Sequence, residues 1–279
     1  MTITLNGGSS DFHMISLNDM KKIADSIQKI SYNLEYQEER TKQKEIYIKA
    51  NKEGSFEILL GLLDPTNYQT IVEGVAGAYL YDLIKKMKTY VKSDKYKEDI
   101  KFLIDETYKI AIELAKEEYY DVKFKRKEQT IKENIKKINA EFSNYNSMKQ
   151  LSSIVNNDNN QSLKPTSITF NSIKDNIEEV LEINASTKEI FENNDIKDIK
   201  VDNIIVSAIP DTPSRSNGSF YIDIPFIGKM KVRAKDEELS RVSYYFGNKE
   251  PITVELEPII KMGELVETRD SKLVRIIEG

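Results

Sequence analysis

Apolar and polar positions alternate over 45–49, where Ile46 and Ile48 oppose Glu45, Tyr47 and Lys49. That period of two predicts a half-buried strand. Residues 51–54, NKEG, are turn chemistry, because Gly54 can adopt the positive φ that closes a hairpin loop. A second strand is expected over 55–63. Phe56, Ile58 and Leu60 share one face and Leu59 lies on the other, so part of it should be covered on both sides. Asp64-Pro65-Thr66-Asn67 stops this strand and opens a helix. In that helix Ile71, Val75, Ala78, Leu83 and Met87 fall near one stripe, widened by Val72, Tyr79 and Leu80. The stripe is too broad for a surface helix, so the 44–90 stretch is the expected centre of the main core. Gly74 and Gly77 interrupt the helix, each at about 1 kcal/mol relative to Ala. Close backbone approach explains them better than a phosphate cradle, since GVAG has no Walker lysine and follows the helix start.

Upstream, residues 2–5 read as a short strand. Ser16 caps a helix with Asp19 facing back, and Met20, Ile23, Ala24, Ile27, Ile30 and Leu34 repeat at helical spacing to about Tyr36. The N-terminal part is thus a β-α-β-β unit with long helices. Three or more amphipathic helical segments follow, with little strand signal. Ile100, Leu103, Ile104, Thr107, Ala111, Leu114 and Ala115 form one stripe; Ile131, Ile135, Ile138 and Phe142 form another, extending through Met148 and Leu151 to Val155. They read as a helical hairpin packed on the sheet, or as an arm projecting from it.

The polar run from Asn156 to Ser162, followed by Pro165, is the clearest linker signal. It divides the chain into an α+β domain over 1–155, a linker over 156–166 and a mostly β domain over 167–279. In the latter, strands are expected at 168–170, 179–184, 201–208, 219–224, 229–234, 252–257 and 272–278, with an added one at 259–267. Helices are expected at 186–191 and 236–246, and a turn-rich loop at 210–218. Three strands, a helix and two or three strands suit a small β-barrel-like, OB-like domain, which places its helix between strands three and four. The fold class is therefore α+β.

A chain of 279 residues is long enough for two domains and a sizeable core. Net charge is -5 and the isoelectric point about 5.3, which disfavours a generally basic nucleic-acid binder. No apolar run is long enough to span a membrane, and MTITLNGGSSDFH lacks the features of a signal peptide. Cysteine is absent, which excludes thiol nucleophiles and thiolate metal sites. A cytoplasmic location fits both observations.

The available chemistry is narrow. His13 is the one histidine, and no G-x-S-x-G elbow accompanies it, so a catalytic triad is not expected. Histidine-rich zinc sites are excluded and no cofactor is expected. A carboxylate-bound Mg²⁺ remains as an alternative, with Asp82, Asp99, Asp105 and Glu106 as candidates on charged helix faces. The run Lys123, Lys125, Arg126, Lys127, Lys132, Lys136 and Lys137 reads as a solvated helix face, interrupted by Glu128 and Glu133. Arg215, Lys229, Lys231, Arg233 and Lys235 cluster around the second and third strands of the β domain. They are the candidate nucleic-acid contacts, with Tyr221 and Phe226 able to stack bases. Asp236, Glu237, Glu238, Glu255 and Glu257 nearly balance them. The adjacent pairs Tyr119-Tyr120 and Tyr244-Tyr245 cannot lie wholly on one helix face, so one ring of each should point outward, as at protein interfaces.

The segments HMISLNDMKKIADSIQKI, GSFEI and GSFYI resemble those of uncharacterised two-domain proteins of bacterial chromosomes and mobile elements. The resemblance covers both chain ends and omits the helical middle. It implies no activity and no site residues; it adds phage–host conflict as a setting. The expected function is non-catalytic protein interaction, of adaptor or inhibitor type, with another protein or a second copy as partner and no membrane. Nucleic-acid binding through the barrel and a Mg²⁺-dependent enzyme are the alternatives.

Overall fold

The computed structural model describes residues 2–7, 15–37, 45–49, 56–63, 73–91, 93–116, 122–156, 164–174, 176–192, 198–261, 263 and 269–278. The chain is α+β, and it divides into two units. The first comprises 1–96 and 143–196; the second comprises 97–142 and 197–279.

The first unit is built on a five-stranded antiparallel sheet. Its strands are β1 (Thr2–Asn6), β2 (Glu45–Lys49), β3 (Phe56–Leu63), β4 (Ser167–Lys174) and β5 (Ile177–Ile183), in the order β2-β3-β1-β4-β5. β1 is central. Ile3 stands opposite Ile58 on one side and Phe170 on the other. Ile3, Leu5, Ile168, Phe170, Leu181 and Ile183 are buried on one face, as period-two strands with one covered side require. Helix α1 (Leu17–Gln37) begins as expected: the Asp19 N–H donates to Ser16 Oγ at 3.0 Å, and Ser16 Oγ donates to the Asp19 carboxylate at 2.7 Å. Its buried stripe is Ile23, Ile27, Ile30 and Leu34. α2 (Glu73–Val91) packs on β4 and β5 and buries Leu80, Leu83, Ile84, Met87 and Tyr90. The side chains of Gly74 and Gly77's neighbourhood lie outside the described residues, as does the 51–54 turn. Inside this core Asn144 donates to Tyr90 Oη at 2.8 Å and accepts from Asn33 at 2.7 Å. A satisfied buried amide of this kind fixes one arrangement of the helices around it.

The linker expectation needs correction. Strands 167–174 and 177–183 do not enter a second domain; they complete the first sheet. β1 has two edges to satisfy, and only β4 covers the second, in register from Thr2↔Asn171 to Asn6↔Ser167. The backbone of Asn156 is tied to Pro165 at 2.9 Å and that of Thr166 to Asn6 at 2.7 Å. α5 (Ala185–Glu192) follows and buries Phe191. The two helical segments expected ahead of the linker form as α3 (Ser93–Leu114) and α4 (Val122–Ser152). Their 97–142 portion belongs to the second unit rather than to the first.

The second unit holds a seven-stranded sheet: β6 (Asp198–Lys200), β7 (Ile204–Ala208), β8 (Asp211–Ser214), β9 (Ser219–Ile224), β10 (Gly228–Arg233), β11 (Ile252–Lys261) and β12 (Arg269–Glu278). The order is β6-β11-β12-β10-β9-β8, and β7 pairs β11 beyond β6. All pairs are antiparallel except β10 with β12. Among the described residues no ladder closes this sheet into a barrel; β7 lies against β9 with no ladder between them there. α6 (Asp236–Asn248) links β10 to β11. Two strand expectations change. β11 is one strand, not two, although it contains Pro258. The missing N–H is tolerated because β11 passes from β7 to β6 around this residue, opposite the unpaired 201–203. The 210–218 loop contains the short strand β8.

One exposed-edge contact makes a pH prediction. Lys88 of α2 bonds the Glu179 carboxylate of β5 and holds its pKa below the ordinary carboxylate value of 4.5. A depressed folded pKa gives stability that is present above 4.5 and lost as pH falls through the folded value. Glu179→Gln should therefore lower Tm at neutral pH, and the gap to wild type should close on acidification. A gap of constant size down to strong acid would refute the pairing.

Candidate functional site

Two surfaces of the second unit gather the residues singled out by sequence. The first is the end of α6. Its start is fixed by the Lys235 N–H, which donates to the Glu238 carboxylate at 2.8 Å, and by three acids in the first turn, which favour the positive end of the helix dipole. Its end is fixed by Lys249 in the left-handed region (φ 56), where the Lys249 and Glu250 N–H groups donate to Phe246 and Tyr245 carbonyls. Leu239 and Val242 are the buried residues of this helix. The last turns of this helix carry three aromatics: Tyr244 is 63% exposed and Phe246 44%, about 200° apart around the helix axis, and Tyr245 stands edge-on to Tyr244 at 5.5 Å between centroids. Tyr244 meets the expectation of an outward ring, and Tyr245 is partly buried. Tyr119 and Tyr120 lie outside the described residues, as does His13.

The second surface is the outer face of β9 and β10. Tyr221 stands opposite Lys231, Asp223 opposite Lys229, and Ser219 opposite Arg233. The cations expected to contact nucleic acid are brought together here, but two are already neutralised. Lys229 pairs with Asp211, and Arg233 with Asp270. The Lys229 ammonium and the Thr212 hydroxyl hold the Asp211 carboxyl below its usual range, and Asp211 raises Lys229 in turn. Lys229 Nζ also lies 5.8 Å from the Tyr221 ring centroid. Arg215 is turned to α6, donating to Ser240 Oγ at 3.2 Å. Lys231 and Lys235 carry no ion pair among the described residues. Further along the face, Glu255 accepts from Asn203 at 2.9 Å and from Arg275 at 2.6 Å, which hold its carboxyl low. Exposed pairs of this kind add little stability, so their importance is in cancelling the field that attracts phosphate.

Backbone strain borders this face. Thr212 has φ 47 immediately before Pro213, at the register shift between Asp211 and Ser214, and its hydroxyl donates to the Asp211 carboxylate at 2.7 Å. A β-branched residue in this region is an outlier. Phe226 has φ 66 in the β9–β10 turn, where its ring meets Phe124 of α4 edge-on at 5.8 Å. It is therefore engaged by a helix rather than free to stack a base.

The carboxylates proposed for Mg²⁺ do not converge. Asp105 accepts the Asp202 N–H at 3.0 Å and lies 3.9 Å from Lys101, which also pairs with Asp202 at 3.0 Å. Burial, first, raises the Asp105 carboxyl above its usual value. Among the described residues no group of three His, Cys, Asp or Glu could hold a metal ion. No helix among them is long and apolar enough to cross a membrane.

Sequence reasoning missed Phe246, Asp211 and Asp270. Phe246 was visible beside the Tyr pair. The two aspartates were not, because their partners are set by strand register. The chain matches no family model, no curated protein and no solved structure.

Proposed function

We propose that the chain is a cytoplasmic, non-catalytic protein-binding protein of adaptor or inhibitor type, and that the end of α6 is its contact surface. The observation that carries this is the exposure of Tyr244 and Phe246 beside Tyr245. Aromatic side chains supply large contact area at low entropic cost and are enriched at the energetic centres of interfaces. Glu237, Arg241 and Lys249, on the same helix and at its C-cap, are exposed as well. The resemblance of the chain ends to proteins of mobile elements supports phage–host conflict as the setting. The test is capture of a partner from the host in the presence of nuclease, then titration with purified partner. The Tyr244→Ala/Phe246→Ala variant should bind on the order of 30-fold more weakly with unchanged Tm, as loss of a hot spot predicts. Equal binding by the variant, or capture abolished by nuclease, would sink the reading.

A second reading has its own observation. In the β7-β11-β12-β10-β9 order, the first strand lies beside the fourth, the fourth beside the fifth, and the fifth parallel to the third. With α6 between the third and fourth, this supports an OB-like sheet, whose second and third strands bind nucleic-acid strands. Tyr221, Lys229, Lys231 and Arg233 then occupy the binding face. Asp211, Asp223 and Asp270 oppose it. A single-stranded oligonucleotide titrated at rising salt separates the two: the protein-binding reading expects no salt-dependent binding, and the OB-like reading expects affinity to fall steeply with salt.

A further inference from the structure

The five outer strands of the two sheets are protected unequally; of these, β7 pairs β11 alone among the described residues, is five residues long and lies against β9. A sheet edge presents unpaired N–H and C=O groups, and proteins usually blunt it with proline, lysine, bulges or shortness. β8 carries Pro213, the left-handed Thr212 and a register shift. β6 has only three residues. β2 ends in Lys49. β5 has none of these devices. It runs seven residues, IEEVLEI, pairs β4 without a register shift, and contains neither Pro nor Lys. It stands at the end of the strand order, and among the described residues the one further hydrogen bond to its backbone is from Thr187 Oγ1 to the Glu182 carbonyl, 3.4 Å, near its end.

The outer face of this edge has a definite chemistry. Leu181 and Ile183 are buried on the α2 side, where Glu179 is engaged by Lys88. Glu178, Val180 and Glu182 alternate onto the other face and are all exposed. On β4 the residues opposite are Ile173, Asn171 and Thr169. Ile173 is 62% exposed and Val180 40%, and they are diagonal neighbours on this face. Lys174 is on the opposite parity, with its ammonium 5.8 Å from the Tyr81 ring, so it does not offset the two glutamates. The face is acidic, apolar, acidic along the free edge.

We infer that β5 is an acceptor edge for an extended peptide from another protein, whose residues opposite Glu178, Val180 and Glu182 run basic, apolar, basic. Added strands gain affinity from main-chain hydrogen bonds and specificity from alternate side chains. Opposite charges directly across a ladder favour the pair, and like charges oppose it. The same rule disfavours a second copy: antiparallel pairing of β5 with itself about Val180 sets Glu178 of each copy against Glu182 of the other. The acidic positions thus act as a filter at an otherwise unguarded edge. This inference does not depend on the α6 surface, and either can fail alone.

The probe is a short synthetic peptide alternating threonine with lysine, valine and lysine, labelled for fluorescence anisotropy, with the full chain as receptor. Saturable binding is expected, with slowed amide exchange within 177–183. Glu178→Lys/Glu182→Lys should weaken it at least tenfold and should bind the matching glutamate–valine–glutamate peptide instead. No saturable binding to wild type overturns the inference. So does equal binding by the charge-reversed variant, or slowed exchange in 177–183 that grows with protein concentration without peptide. Should the variant melt below wild type, the two peptides on wild type decide: equal affinity for both overturns it.

Discussion

Phe170→Ala should lower the stability of the first unit by about 3–5 kcal/mol, the usual cost of truncating a fully buried aromatic. Phe170 has no exposed surface. It stands opposite Ile3 on one side and Leu181 on the other, on the strand against which α2 packs. Both of these cross-strand neighbours are themselves held in ladders, which opposes local collapse into the void left by a missing ring. Two units in one chain make a single two-state fit unsafe, so the measurement is amide exchange resolved along the chain, with denaturant as the variable. Protection in β1, β3, β4 and β5 should fall together. A loss below about 1 kcal/mol, or a loss confined to 167–183, would mean that these strands are not integral to the first sheet.

Gly7→Ala is the second large effect, about 3 kcal/mol, from φ strain and overpacking together. Gly7 follows β1 at φ 77, where an L side chain is strained. A Cβ there would lie 2.4 Å from Thr166 Oγ1 and 2.7 Å from its Cγ2. Thr166 cannot swing aside cheaply, because its hydroxyl donates to the Asn6 carbonyl at 3.0 Å and its N–H to the same oxygen. Adding Thr166→Ala should recover the steric part and leave roughly 1–2 kcal/mol of backbone strain. Equilibrium denaturation of the two single variants and the double variant reads this directly. Additivity of the two single changes would show that the residues do not touch.

Local patterns were legible wherever they repeated over several residues. The Ser16 cap on the Asp19 N–H, the α1 stripe, the pairing of β2 with β3, and α6 with its flanking strands all follow from spacing alone. Pairing between distant segments was not legible. The polar run after Asn156 looks like a boundary because nothing in it is apolar, yet the strand beyond it completes a sheet begun at Thr2. Nothing within 167–183 encodes that partner; it is fixed by which edge of β1 remains open. The same gap hid the site. The basic residues of β9 and β10 were in view, but their neutralisation by Asp211 and Asp270 depends on register, as does the acidic edge of β5. The end of α6 was visible because it needs only one helix and three adjacent rings.

The pairing of β1 with β4 also sets a clock during synthesis. Asn6 bonds Ser167, 161 positions later. At the usual pace of about 5–20 residues per second, the first strand leaves the ribosome on the order of ten seconds or more before its neighbour exists. During that interval β1 and β3 can form a ladder with one side open. Between the two halves of this sheet the ribosome must deliver all of 97–142, whose helices belong to the other unit. The nascent chain therefore carries an unfinished, apolar-faced sheet from the end of β3 until β4 is made, and a holding chaperone has its natural substrate in that window.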